Sequence, residues 1–565
     1  MSRKLLPLAM LTGLALGGCG GGSSGSSSIV EGTLLQAPTQ SLSVSASQFT
    51  ASLVGQGSTG LALLGLSTGD PSGNTPLSCG VAVYHYNYQT VDGQGHPATA
   101  SGALMLPTGT SASCSGSRPL LEYAHGTNLD RSYDLAALND SSNPAYGEAA
   151  LIASMYAAQG YIVIAPNYVG YDTSNASYHP YLVKTQQADD MIDALQAGRQ
   201  ALSGLGASVS PNGKFFLTGY SQGGYVALAT EQAMQQRGMT VTAASPGSGP
   251  YALAALVDYI FLGHPDLAAP QLGSLLVEAY QDSYGNVYAS PSQVFNANLY
   301  TPLPYATAAD ASASPLAATL PMFSATAPTS ADVTAPPSNA GASASTTLGA
   351  VLPDTVPPYY TSPATNSAVS PDTNVIAQTA WTELFDTSGT ASPYDAFGSG
   401  FSALWGSYFS GGTELITQSY RANYLADAVL NPDGLFTGTT GMPSATPTNG
   451  LRQDLAANDL RGYKPAAPTM LCGGIQDPVV YYPLNTQVMQ QEWGSPTPSL
   501  FSLNVDSPTP ASSGPTVAFA PVQQAFTNWK NNAISSGGVN SEVAQYHGTV
   551  GAYCALAARE FFGGF

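Results

Sequence analysis

The sequence predicts an α/β fold: a mostly parallel sheet with helices on both faces, interrupted by a large, mainly helical insertion. Three observations predict it. Short apolar, strand-like runs alternate with helix-like stretches from residue 81 to residue 246. Between 250 and 464 that alternation stops, and only helical segments can be defended. After 464 it resumes, so the C-terminal segment closes the sheet.

Taken in order, residues 81–89 and 98–107 are strand-like, rich in Val, Tyr and Thr, and are separated by the hairpin signal Asp92-Gly93-Gln94-Gly95. Residues 120–124 and 161–166 are short apolar runs of the kind that fill a buried parallel sheet, with a helix over 148–159 between them. A helix over 188–205, a strand over 214–219, a helix over 223–237 and a strand over 240–246 follow. In the insertion, 253–263, 274–282 and 403–430 read as helices. Its middle, 301–372, is dominated by Ala, Ser, Thr and Pro and reads as a long loop. Beyond it, 469–472 is a strand, 485–493 a helix and 500–505 a strand. The expected organisation is a signal at 1–18, a tether at 19–40, a sheet domain at 41–251 plus 465–565, and a cap at 252–464.

Charged residues are only 8% of the 565, against roughly a quarter in ordinary soluble domains. Residues 1–18 read as an export signal, with Arg3 and Lys4 at the charged start and an apolar run over 5–16 that is too short to span a bilayer. Leu16-Gly17-Gly18-Cys19 resembles a bacterial lipoprotein cleavage site, which would make Cys19 the lipidated first residue. An ordinary export signal with an incidental Cys is the alternative. On the first reading the chain is exported and held on a membrane by its lipidated N-terminus, facing the periplasm or the cell surface. On the second it is secreted. Residues 20–28, all Gly and Ser, form a flexible tether.

The formal net charge of −20 becomes −22 once Arg3 and Lys4 are removed, which disfavours nucleic acid and anionic lipid as partners. Cys79, Cys114, Cys472 and Cys554 remain, an even number in an exported chain. Three pairings are possible, and Cys79–Cys114 with Cys472–Cys554 is the preferred one. Their spacing is not that of a zinc knuckle, and no metal or organic cofactor is implied.

Gly-x-Ser-x-Gly occurs three times in a chain with 60 glycines, so the pattern alone is weak. Gly21 to Gly25 lies in the tether, and Gly65-Leu66-Ser67-Thr68-Gly69 follows no strand. Only Gly219-Tyr220-Ser221-Gln222-Gly223 has an apolar strand before it and a helix after it, the layout of a nucleophile elbow in an α/β-hydrolase fold. A serine hydroxyl needs a base, and the base an orienting carboxylate. In this fold they follow in the order serine, acid, histidine. His85, His96, His125 and His179 precede Ser221, and His264 falls in the cap. That leaves His547, in Tyr546-His547-Gly548, expected on a loop before a helix over 553–562. Asp477, in Cys472-Gly473-Gly474-Ile475-Gln476-Asp477, sits where the acid belongs. Asp506 is its rival, and Asp454 and Asp459 read as ordinary cap or linker acids. For the oxyanion, Gln222 supplies one backbone N–H and Thr127 the other, with Gly126 as the alternative to Thr127. His125 reads as a residue that braces its loop.

Taken together, Tyr123-Ala124-His125-Gly126-Thr127, Ala165-Pro166-Asn167-Tyr168-Val169-Gly170-Tyr171 with His179-Pro180-Tyr181-Leu182, Gly219 to Gly224, and 471–480 resemble the bacterial branch of the secretory lipase family within the α/β-hydrolases. The resemblance runs from about residue 79 to the end. It implies an esterase or lipase acting on carboxylic esters, with Ser221, Asp477 and His547 as the triad. Asn167 stands where the family more often has Asp, and Tyr225 where it has His. The 70 residues from Asp477 to His547 exceed one helix and one strand, so an extra element is expected over 516–529. A serine peptidase of the same fold, and a non-catalytic surface lipoprotein, are the competing readings.

Overall fold

The computed structural model describes residues 30–70, 72–261, 266–296, 415–437, 440–507 and 512–565. Cys19, His264, the segment 301–372 and the first part of the helix expected over 403–430 lie outside them.

One nine-stranded sheet organises the chain, in the order β1-β2-β3-β5-β4-β6-β7-β8-β9. β1 (Thr39–Val44), β2 (Gly80–Val91) and β3 (Pro97–Thr108) form the antiparallel edge, and β3 also runs antiparallel to β5 (Ile162–Pro166). From β5 the sheet is parallel, through β4 (Gly116–Ala124), β6 (Val209–Tyr220), β7 (Ala243–Gly247), β8 (Thr469–Gly473) and β9 (Leu500–Asn504). β5, β7 and β8 are buried along their whole length, as expected of parallel strands covered on both faces.

The helices α1 (Ala46–Gly55), α2 (Ser58–Thr68), α3 (Tyr146–Met155), α4 (Lys184–Gly204) and α5 (Gln222–Gln236) cover the sheet before the insertion. The hairpin, the six strands after it and their helices fall where the sequence places them. Two features differ. β1, α1 and α2 lack the apolar alternation that would announce them, and β1 is half exposed at the sheet edge. Residues 30–40, expected in the tether, run along β2: Leu34 bridges Tyr88, and Thr39 pairs with His85. The chain joins the sheet domain before residue 41.

Between β7 and β8 the described chain adds no strand to the sheet. It holds α6 (Leu253–Phe261), α7 (Ala269–Tyr284), α8 (Gln418–Leu430) and α9 (Gly450–Asn458). Buried ion pairs fasten these helices. The Arg452 guanidinium donates to both oxygens of Asp258 at 2.9 and 2.8 Å and to Asp427 at 2.8 Å. Arg461 is shared between Asp433 and Asp459. Two-armed guanidinium pairing of this kind offsets the cost of taking carboxylates out of water. It also explains how a chain so poor in charge comes to bury several.

After β8 come α10 (Thr486–Trp493), β9, a short 3-10 helix (Pro515–Phe519) and α11 (Ala520–Phe562), the last interrupted at Gly538, whose φ of 75° breaks the helical run. The 3-10 helix and the start of α11 are the extra element expected over 516–529. Disulfides join Cys79 to Cys114 and Cys472 to Cys554, with Cα separations of 5.5 and 5.7 Å. Two such bonds belong to an oxidising compartment, extracellular or periplasmic. No helix among the described residues is long and apolar enough to cross a membrane.

Candidate active site

The site gathers at the carboxyl ends of the parallel strands, where open α/β sheets present their ligand-binding loops. At the end of β6 the chain turns into α5 through Ser221, whose φ of 60° and ψ of −122° put it in a conformation that L-residues rarely adopt. Neighbouring glycines make this turn possible. A Cβ on Gly223 would stand 1.9 Å from the Ala124 carbonyl oxygen, and one on Gly219 would stand 2.4 Å from the Gly223 oxygen. The Ser221 N–H donates to Gly247 O at 2.9 Å, tying the turn to β7.

β8 ends at Gly473, and the loop after it delivers Asp477, which is fully buried. Its Oδ1 accepts the backbone N–H groups of Val479 and Val480 at 3.0 and 3.1 Å. His547 comes from the arm of α11 beyond Gly538. It is expected on a loop from the sequence, but it lies on a helix, whose turns run on through Gly548 and Gly551. Its Nδ1 lies 2.9 and 2.8 Å from the two Asp477 oxygens, and its Nε2 lies 2.9 Å from Ser221 Oγ. With an ionised Asp477, Nδ1 carries the proton and Nε2 accepts from the serine hydroxyl. Cys472 on β8 and Cys554 on α11 bond beside these two elements, closing a loop of 82 residues. Replacing both cysteines with Ala is expected to remove roughly 4 kcal/mol of stability, readable as a lower denaturant midpoint. An unchanged midpoint would show that packing alone fixes α11 against β8.

The rival acids are engaged elsewhere. Asp506 is held by Lys530 Nζ at 2.8 and 2.9 Å and by the Tyr546 hydroxyl at 2.6 Å. Asp454 accepts from Asn286, and Asp459 from Arg461. The other described histidines also have partners. His85 pairs with Asp172, exposed His96 sits near Asp92, and His125 and His179 are buried.

The loop after β4 is braced from several sides. His125 directs Nδ1 at Gly126 O and Nε2 at Asn167 O, and its ring stacks on Tyr133 and Tyr168 at 4.5 and 4.0 Å. Burial lowers its pKa. Glu148, on α3, was not singled out from the sequence. It accepts from Tyr123 OH (2.9 Å), Tyr133 OH (2.6 Å) and the Gly126 N–H (3.0 Å). The Gly126 N–H is thereby taken. The N–H groups of Thr127 and Gln222 meet no acceptor among the described residues.

Gln222 is fixed by His179, to which the sequence assigns no role beyond its place in the His179-Pro180-Tyr181-Leu182 motif. Its Nε2 lies 2.7 Å from His179 Nε2, while His179 Nδ1 lies 2.7 Å from Val169 O. Burial pulls the His179 pKa down to about 3, so the ring is neutral, with Nδ1 donating and Nε2 accepting. Tyr220, the residue before Ser221, donates to the His547 carbonyl oxygen and packs its ring 4.9 Å from the imidazole. The two departures from the family pattern are structural. Asn167 bridges Leu135 N, Ser101 and Asp134, and the Tyr225 hydroxyl reaches Asn458 O and Leu182 O.

Two cavities meet at Ser221. The larger, about 460 Å³, is bordered by Tyr123, Thr127, Glu148, Tyr220, His547 and Gly548. The smaller, about 50 Å³, runs under α6 and α7 among Leu253, Leu256, Ile260, Leu276 and Val480. Elsewhere, His85, Asp134 and Asp172 bring ligand atoms within 4.8 Å of one another, the one grouping among the described residues with the makings of a cation site. Its His85 Nε2 and Asp172 Oδ2 pair directly at 2.7 Å.

The parallel sheet, the turn at the end of β6 and the helical insertion after β7 define an α/β-hydrolase fold. Among solved structures the chain is similar to the rice cell wall degrading esterase LipA from Xanthomonas oryzae. In a ligand-bound form the identity is 23%, with a TM-score of 0.56 over 94% of this chain and 98% of that one. A second LipA structure gives 23% identity and a TM-score of 0.55 over the same shares. Candida antarctica lipase A in its closed state is 10% identical, with a TM-score of 0.41 over 83% of this chain and 76% of that one. No protein-family model matches the chain, and no curated protein sequence does.

Proposed function

We propose that this chain is an exported serine esterase or lipase that hydrolyses carboxylic esters through an acyl-enzyme on Ser221. The observation that carries the reading is the hydrogen-bonded chain from Ser221 Oγ through His547 to Asp477 at the turn after β6. LipA, the esterase that shares the fold, supports it.

In the first half-reaction, Ser221 Oγ attacks the ester carbonyl carbon while His547 Nε2 takes the hydroxyl proton. The oxyanion is held by the Thr127 and Gln222 N–H groups. The carbonyl re-forms, the bond to the alcohol oxygen breaks, and His547 returns the proton to the departing alcohol. In the second half-reaction, water gives a proton to His547 and adds to the acyl carbon; the bond to Ser221 Oγ then breaks, His547 returns the proton to Oγ, and the acid leaves. Asp477 holds the imidazole tautomer and stabilises the imidazolium that forms twice per cycle.

The smaller cavity holds the acyl chain. Its volume takes roughly four water-sized groups, which sets short acyl chains as the preferred substrates. The larger cavity holds the alcohol part. Cys19 is the proposed lipid anchor, with residues 20–28 as the tether to a membrane.

The test is a parallel assay of nitrophenyl esters of increasing acyl length and of aminoacyl anilides. Turnover of the esters, highest at about four carbons, with no turnover of the anilides, is expected. Anilide hydrolysis at a comparable rate would assign the chain to the serine peptidases instead.

A further inference from the structure

The small cavity beside Ser221 is not wholly apolar. Asp266, just before α7, lines it among Leu253, Leu256, Ile260, Leu276 and Val480. Asp266 is only 5% exposed. Its Oδ1 accepts the Ala268 N–H at 2.8 Å, which secures the turn into α7. The Ala269 N–H also acts on the carboxyl, and no side-chain donor reaches it among the described residues. Aspartates that close a turn onto the N–H two residues on ordinarily stand in water, and a carboxyl group has no packing reason to face an acyl chain. Nor is it there as an ion-pair partner: no cation pairs with it among the described residues, and the charge that acts on it is the carboxylate of Asp477.

We propose that this cavity is built for a short acyl chain carrying a hydroxyl group, which the free side of the Asp266 carboxyl recognises. The proposal rests on the ester-hydrolase reading of Ser221 and names the acyl class it selects. Burial, with a smaller contribution from Asp477, pushes the Asp266 pKa up to about 8, so the group is neutral at pH 7. A neutral carboxyl offers one donor and one acceptor, and a hydroxyl matches both. A plain alkyl chain leaves the carboxyl unmatched. An ammonium group would require Asp266 to ionise in an apolar cavity, where a buried ion pair must recover the desolvation of both charges. The cavity's size limits the chain to about four carbons, so the fitting ligand is a short hydroxyacyl ester.

The experiment compares the nitrophenyl esters of butyrate, 3-hydroxybutyrate and 4-aminobutyrate on the whole protein, on Asp266→Asn and Asp266→Leu, and on Ser221→Ala. The native protein is expected to favour hydroxybutyrate over butyrate by about tenfold in kcat/KM, the worth of one hydrogen bond to the acyl chain. Asp266→Asn keeps a donor and an acceptor and retains most of that ratio, whereas Asp266→Leu brings it to one or below. Equal rates for the two esters in the native protein, a ratio unchanged by Asp266→Leu, or a preference for aminobutyrate would each overturn the proposal. Should Asp266→Leu fail to fold, the native ratio and Asp266→Asn decide. Ser221→Ala separates the two levels: loss of all three activities keeps the esterase reading even where the hydroxyl preference is absent, and retained hydrolysis removes both.

Discussion

Replacing Ser221 with Ala is expected to lower ester turnover on the order of a million-fold, with the protein still folded. The size of the loss follows from how the three side chains depend on one another. His547 is oriented by Asp477 on one side and accepts from Ser221 on the other, so each has a role only while the other two are present. Residual activity would come from the Thr127 and Gln222 N–H groups and from binding alone, which leaves roughly a thousand-fold over water. Alanine removes only a hydroxyl from a site already held by Gly219, Gly223 and the Ser221 N–H bond to Gly247, so the melting temperature should stay within a few degrees. A large fall in melting temperature with the same rate loss would point to collapse of the turn instead of removal of the nucleophile.

The second large effect is on stability against pH. Several carboxyl groups are buried without a cation. Glu231 on α5 has its Oε1 2.7 Å from the Thr469 hydroxyl, while Oε2 has no partner. Burial raises its pKa from 4.5 to about 8. Asp193 and Asp266 are likewise pushed up to about 8. A group whose pKa is higher folded than unfolded holds its proton longer in the fold. Its stabilisation is complete below the unfolded value and is lost as pH rises through the folded one. Buried His125 and His179 have lowered pKa values and act in the opposite direction, but only below about pH 6.5. Between pH 6.5 and 8 the described histidines no longer oppose these carboxyls, and unfolding free energy should fall as pH rises. Glu231 alone accounts for up to roughly 5 kcal/mol of the difference between acid and alkaline conditions. Denaturant titrations at pH 6.5 and 8.5 should show roughly 2 kcal/mol of it. Glu231→Gln should flatten the slope, and an identical slope in that variant would remove Glu231 as its source.

What the sequence made legible follows from the kind of signal each part carries. Ser221 stood out because a tight turn between a buried strand and a helix needs glycines on both sides of a serine, and only one of the three matching pentapeptides has those elements around it. Asp477 and His547 followed from chain order, which the fold imposes. His547 was misplaced onto a loop because Gly548 and Gly551 resemble loop residues. Gly551 is instead a packing glycine: a Cβ there would stand 2.8 Å from the Tyr220 ring. The edge elements β1, α1 and α2 were invisible because a half-exposed strand of Thr, Gln and Ser resembles the tether before it. The roles of Glu148, His179 and Asp266 are not legible in the sequence, since each acts through contacts far away along the chain: Glu148 with Tyr123 and Gly126, His179 with Gln222, and Asp266 with a cavity formed between the cap helices and the Ser221 turn.

The central claim is that Ser221 is an activated nucleophile that becomes acylated. Its most direct test is labelling with a nitrophenyl alkylphosphonate, followed by peptide mass mapping. One phosphonate per chain, on the peptide containing Gly219-Tyr220-Ser221-Gln222-Gly223, with loss of esterase activity in step with labelling and no labelling of His547→Ala, is the predicted result. A protein that hydrolyses esters while Ser221 stays unlabelled would contradict the account.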